Sequence, residues 1–401
     1  MSFGAASRRR VSRWGASSAD QAAAWSLTIV DAALAGLVLF APWFFGGRHD
    51  FGRLVVVLLA GVAAVAWRIH LELSNRPRRR ASATQWIALL AVLWVCLQLV
   101  PLPATVGQWL SPRPAELLPL HNDAAMQPLS SLGPWQTLSF TPADTRIALA
   151  MVLAYSLIYT TTLARRRRVD DVHRLLRTIG VASVAMACFG LLQYALSNGK
   201  FFWCYEVAAR STDEAVCGAF TNRNHFAHFL ALGLGPLAVW LMSLKRRTPV
   251  ERLRPGRMKQ TPDLRRWLPQ IALAGALSIV LFAGLLTLSR GGAAALAVAA
   301  GVVLLGGRGA RLLQTRHLLV GLLVAGSVVG LLSIYGYDEV AGRLDDYSSI
   351  EQLDGAGARR QIWSANLTAF RSGWLTGGGA GGHAELYPLY MPESLPLEFT
   401  H

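Results

Sequence analysis

Nine apolar stretches run through this chain, and the arginine-rich connections between them fall on every second loop. The stretches lie at residues 27–46, 54–69, 85–102, 146–163, 178–196, 225–244, 268–288, 293–306 and 318–336. Most approach the ~20 residues that a helix needs to cross a bilayer. The expected fold is therefore all-α, a polytopic transmembrane helical bundle of about nine spans, with a long outer loop near the carboxyl terminus. Residues 1–26 read as a basic inner tail that leads into an uncleaved anchor, 27–336 as the bundle, and 337–401 as the loop.

The charge pattern sets the orientation. With the amino terminus inside, 27 of the 39 Lys and Arg fall on inner segments. They are densest at Arg8 to Arg10, Arg78 to Arg80, Arg165 to Arg168 and Lys245 to Arg247, all close to span ends, where positive charge determines topology. A net charge of +16 would otherwise suggest nucleic acid. Here it is topological, held in juxtamembrane clusters that suit anionic membrane lipids. A hydrophobic fraction of 53% and a mean hydropathy of +0.36 agree. Gly36, Gly61, Gly180, Gly190, Gly233, Gly235, Gly275 and Gly284 offer small positions at which helices can approach closely.

Three outer segments carry polar chemistry. The densest is Gly218-Ala219-Phe220-Thr221-Asn222-Arg223-Asn224-His225-Phe226-Ala227-His228, at the mouth of the sixth span. Amides, a guanidinium and imidazoles entering a bilayer face a bundle interior or a watered cavity. Arg223 is the expected anion-binding group, with Asn224 or His225 orienting it. The plainer reading is a helix cap in which Thr221 or Asn222 bonds free amides. The second segment, Ser289-Arg290-Gly291-Gly292, reads as a tight turn that presents Arg290 with little flanking bulk. There a guanidinium can grip phosphate oxygens with two parallel bonds, or simply snorkel. In the third, apolar residues at 362, 363, 367, 370 and 374 share one face of a helix. That helix is expected to lie along the membrane surface, with Arg359 or Arg360 turned toward the cavity.

Cys204 and Cys217 share one outer loop in a disulfide-permissive compartment, and a bridge between them is expected. A metal site is not, since two cysteines without a close His pair fall short of the usual zinc ligands. The acidic residues Asp338, Glu339, Asp345 and Asp346 read as solvated surface. Gly377 to Gly382 lacks the Lys-Ser/Thr ending of a phosphate loop and reads as a flexible turn.

The set Gly-Ala-Phe-Thr-Asn-Arg-Asn-His-Phe-Ala, Leu-Ser-Arg-Gly-Gly, and Arg-Arg-Gln-Ile-Trp followed by Gly-Gly-Gly-Ala-Gly and Tyr-Pro-Leu-Tyr resembles the O-antigen ligase and O-antigen polymerase family. The Ser-Phe-Thr-Pro-Ala-Asp-Thr-Arg stretch before the fourth span is similar too. The resemblance covers roughly residues 130–401. It implies a glycosyltransferase of the bacterial inner membrane, inverting and without metal or other cofactor. Such an enzyme moves an undecaprenyl-diphosphate-linked glycan to a glycan, lipid-core or protein acceptor on the periplasmic side, where the long loop lies. By that resemblance Arg290 and either Arg360 or Arg359 hold the carrier diphosphate, and Arg223 matches a variant of the pattern. A histidine of the long loop is the general base, and His401 is its candidate here.

Two rival readings stay open on the sequence. A flippase of lipid-linked sugars would use the same arginines for binding alone. The family continues past this point with a His-rich stretch and further spans, so an inactive truncated membrane protein is the third.

Overall fold

The computed structural model describes residues 18–74, 81–110, 135–165, 168–207, 210–244, 267–310, 315–335, 358–373 and 376–391. Among them, each of the nine apolar stretches contains a helix. These are α1 Ser18–Phe40, α2 Asp50–Leu73, α3 Ala83–Gln98, α4 Pro142–Arg165, α5 Val169–Ala195, α6 Arg223–Ser243, α7 Leu268–Leu285, α8 Arg290–Gly309 and α9 Thr315–Tyr335. Seven are long and apolar enough to cross a membrane, while Ala83–Gln98 and Leu319–Ile334 are shorter apolar helices. The chain is a multi-pass helical membrane protein. Helix α1 starts at Ser18, so the expected boundary at residue 26 falls inside a helix.

Local chemistry sets several helix ends. Ser82 and Gln85 form a reciprocal capping box at the start of α3. Pro142 begins α4, where its missing N–H is no loss. Helix α3 stops at Gln98, ahead of Pro101. The loop that follows is closed at its base, because Leu102–Pro103 (β1) pairs antiparallel with Trp135–Gln136 (β2).

The helices pack as two groups. In the first, α2 lies against α1 and α4, and α3 lies against α4. In the second, α6 is the hub that touches α5, α7 and α8, and α9 lies on α7. The largest core belongs to the second group and gathers Met186, Phe226, Leu230, Leu237, Val280 and Leu296. In hydrocarbon an apolar side chain gains little by leaving lipid for a neighbouring helix, so association rests on close fit and polar links. A methyl built on Gly233 would lie 2.1 Å from Ser183 Oγ, and Gly36, Gly180, Gly190 and Gly284 are also close to side chains. Gly61, Gly235 and Gly275 meet nothing within 4 Å, so for these three the expected role in helix contact is not found.

A partly buried ion network joins the two groups. Arg165, at the end of α4, contacts Asp31 of α1 at 2.7 Å and Asp171 of α5 at 3.0 Å, and Asp171 also pairs with Arg174. Arg165 and the buried Asp171 are thereby paired, as buried charge requires.

Candidate functional site

The two expected anion-binding arginines begin two neighbouring helices. Arg223 is the first residue of α6, capped by Asn222, whose Oδ1 accepts from the Asn224 amide at 2.9 Å. Arg290 is the first residue of α8, capped by Ser289, whose Oγ accepts from the Gly292 amide at 2.9 Å. The expectation of a turn at 289–292 is corrected here. The reversal lies just before it, in Thr287 and Leu288, where Leu288 takes a left-handed φ of 51°. Thr287 is fully buried, and its Oγ1 donates to the Gly284 carbonyl at 2.7 Å.

One hydrogen bond ties the two helix starts together. Ser289 Oγ donates to Asn224 Oδ1 at 2.7 Å while it caps α8. Asn224 thus orients the neighbouring helix start, whereas His225 is exposed. The fit between the helices is tight: a methyl on Gly292 would lie 2.2 Å from the Ala227 Cβ, while Gly291 faces open space. Gly291 therefore bears no packing, whereas Gly292 is part of the contact between α6 and α8.

The electrostatic consequence is direct. Each helix start carries roughly half a positive elementary charge from its aligned peptide dipoles. Helix starts normally favour anionic groups, yet here each is followed at once by a half-buried guanidinium. Two adjacent helix starts, each bearing an arginine, thus concentrate positive charge at this point of the bundle.

The second cluster lies where α3 ends and α4 begins. The segment 376–382 is not a loose turn. Gln98 Nε2 donates to the Thr376 carbonyl at 3.1 Å, and Gln98 Oε1 accepts from the Ala380 amide at 3.0 Å. The Phe140 amide donates to the Gly378 carbonyl at 3.0 Å. Gly379 has φ +99°, and a methyl on Gly381 would lie 2.5 Å from the Asp144 backbone. Glycine is required because the turn runs directly over the first turn of α4. The Ser-Phe-Thr-Pro-Ala-Asp-Thr-Arg stretch is the seat of the glycine-rich turn.

Helix α10, Ala358–Ser372, is present as expected, with Trp363, Leu367 and Phe370 exposed along one side. Arg360 is exposed in its first turn. The principal packing partner of α10 is the Tyr387–Tyr390 turn. A histidine absent from the sequence expectations sits on this surface. His383 Nε2 lies 2.9 Å from Asn366 Oδ1, and its ring stacks on Tyr387. His401, Trp374, the Arg359 side chain and the acidic residues 338, 339, 345 and 346 lie outside the described residues.

The expected disulfide is not formed: Cys204 and Cys217 are both free. Cys204 is exposed on the turn closed by Phe201 and Tyr205, while Cys217 is buried in the next part of the loop. Adjacent Val216 is fastened by its amide to the Leu286 carbonyl at 3.1 Å. Burial pushes the Cys217 thiol up to about 12. Among the described residues no group of three His, Cys, Asp or Glu is placed to hold a metal ion.

Residues 274–401 match the family model described as O-antigen ligase. Neither a curated protein nor a solved structure matches the chain. The matched range starts within α7 and takes in Ser289, Arg290, α10 and the glycine-rich turn, while Arg223, Asn224 and Gln98 lie before it. Over residues 274–401 the chain is therefore similar to the O-antigen ligase family.

Proposed function

We propose that the protein transfers glycan from an undecaprenyl-diphosphate donor to an acceptor hydroxyl at the periplasmic face of a bacterial inner membrane, its amino terminus in the cytoplasm. The observation that carries this is the pair of helix starts bearing Arg223 and Arg290, locked by the Ser289 to Asn224 bond. The acceptor oxygen attacks the anomeric carbon as the bond from that carbon to the phosphate oxygen breaks, with inversion. The acceptor proton passes to His401, and the diphosphate leaves against the two guanidiniums, with Arg360 or Arg359 completing the cage. Negative charge on the diphosphate is greater at the transition state than in the bound donor. A preorganised cationic site therefore lowers the barrier beyond what binding alone would do.

The test is reconstitution of the protein with lipid-linked glycan and acceptor. One undecaprenyl diphosphate is expected for each glycosidic bond formed. Movement of unchanged donor across the bilayer without released carrier diphosphate would instead identify a flippase.

A further inference from the structure

Beside the arginine pair lies an open cleft of about 410 Å³, within the ~300–1,000 Å³ of ordinary small-molecule sites. Its walls come from two segments far apart in the chain. The α1–α2 connection gives Phe45, Arg48 and His49, and the α5–α6 loop gives Tyr205, Arg210 and Asn222. Asn222 is also the cap of α6, so the cleft reaches the residue that precedes Arg223, next to the proposed diphosphate site.

The cleft is a built feature. Phe45, Gly46 and Gly47 all hold left-handed φ values, 52°, 71° and 81°. Such a conformation is unfavourable for an aromatic residue and persists only where the surroundings enforce it. Here the Phe45 ring packs on Tyr205 at 4.9 Å and on Phe202 and Phe201 at 5.8 and 5.9 Å. Gly46 lies against Phe220, where a methyl would come within 2.5 Å of the ring. Tyr205 is held by paired backbone bonds with Phe201, both at 2.8 Å. His49 Nδ1 accepts from the Phe51 amide at 3.2 Å, which leaves Nε2 to carry the ring proton. Asp50, at the rim, is engaged by Arg53 at 3.1 Å. Among the described residues neither Arg48 nor Arg210 forms a salt bridge.

An exposed Tyr205 and a half-buried Phe45 beside two guanidiniums match a particular ligand chemistry. The C–H face of a pyranose packs on an aromatic ring, and a carboxylate on the same sugar meets a planar fork of donors. We infer that this cleft binds an acidic saccharide, a sugar bearing a carboxylate, stacked on Tyr205 and Phe45 and gripped by Arg48 and Arg210. The inference rests on the proposed transfer reaction and adds the class of sugar that enters it.

Binding to the full chain in nanodiscs tests this without any turnover, so its failure is distinct from failure of the transfer reading. Tetragalacturonate and maltotetraose are matched in length and differ in charge, and inorganic pyrophosphate reports the neighbouring phosphate position. Tetragalacturonate is expected to bind on the order of tenfold or more tighter than maltotetraose. Arg48→Gln and Arg210→Gln should each remove most of that preference, and Tyr205→Ala should weaken both saccharides. Equal binding of the two saccharides to the unaltered protein would overturn the inference, as would unchanged tetragalacturonate binding in both folded arginine variants. Complete displacement of tetragalacturonate by pyrophosphate would also overturn it, and would make the cleft part of the diphosphate site.

Discussion

Ser289 Oγ stands 2.7 Å from Asn224 Oδ1 and 2.9 Å from the Gly292 amide, so one hydroxyl both caps α8 and fixes it to α6. Ser289→Ala removes both bonds. Loss of the cap should destabilise the protein by about 1 kcal/mol. Asn224→Ala keeps both caps and loses the link alone. It should lower turnover with a smaller fall in melting temperature than Ser289→Ala. Thermal unfolding and transfer rate measured on the same preparations would show whether the link aligns the two arginines.

The contact between α6 and α8 predicts a reciprocal pair. Gly292→Ala brings a methyl against Ala227 and should destabilise by about 1–3 kcal/mol, as overpacking does. Ala227→Gly should restore much of that loss in the double variant. Gly291→Ala, facing open space, should be close to neutral. A double-variant cycle read by thermal unfolding checks all three, and absence of coupling between 227 and 292 would contradict the close approach.

The cysteines give a chemical test. Reagents act on the thiolate, and burial keeps the Cys217 thiol protonated, with its pKa near 12, through the neutral range. Cys204 is exposed and should react with a soluble maleimide in the folded protein, while Cys217 should react only after unfolding. Cys204→Ser should leave the melting temperature unchanged with or without reductant. A non-reduced peptide linking the two would contradict the free thiols.

The reach of the sequence is clear from these cases. The apolar runs are legible because span length is a local property of the chain, and each run contains a helix. Arg223 and Arg290 stand out as charges at span mouths, yet their juxtaposition depends on a bond between residues 65 positions apart. No local pattern encodes that bond. The start of α8 was open to local reading, since a serine just before a helix is an ordinary cap; Gly291 and Gly292 suggested a turn instead. Gly292 is small for contact with Ala227, a reason visible only once α6 is beside it. The glycine-rich turn is the same kind of case. Nothing within 376–382 reveals that Gln98, 278 positions earlier than Thr376, holds it. The disulfide expectation failed because sharing a loop does not fix the direction of two side chains, and Cys217 is turned into the core.

That turn supplies a further prediction. Gly381→Ala would force a methyl into the Asp144 backbone and should free residues 376–391 from α4, at about 1–3 kcal/mol. Limited proteolysis in nanodiscs should then show new cleavage in this segment. Ala384→Ser, on the exposed side, should not change the pattern.

The central claim is that Arg290 stabilises the departing diphosphate, and the most direct measurement is turnover of lipid-linked glycan by Arg290→Ala alongside its melting temperature. Loss of one preorganised donor should lower turnover by about 10²-fold to 10³-fold. Arg290→Lys should rescue poorly, since an ammonium lacks the planar fork. Near-parental turnover in folded Arg290→Ala would contradict the account and leave Arg290 as a charge at a helix end.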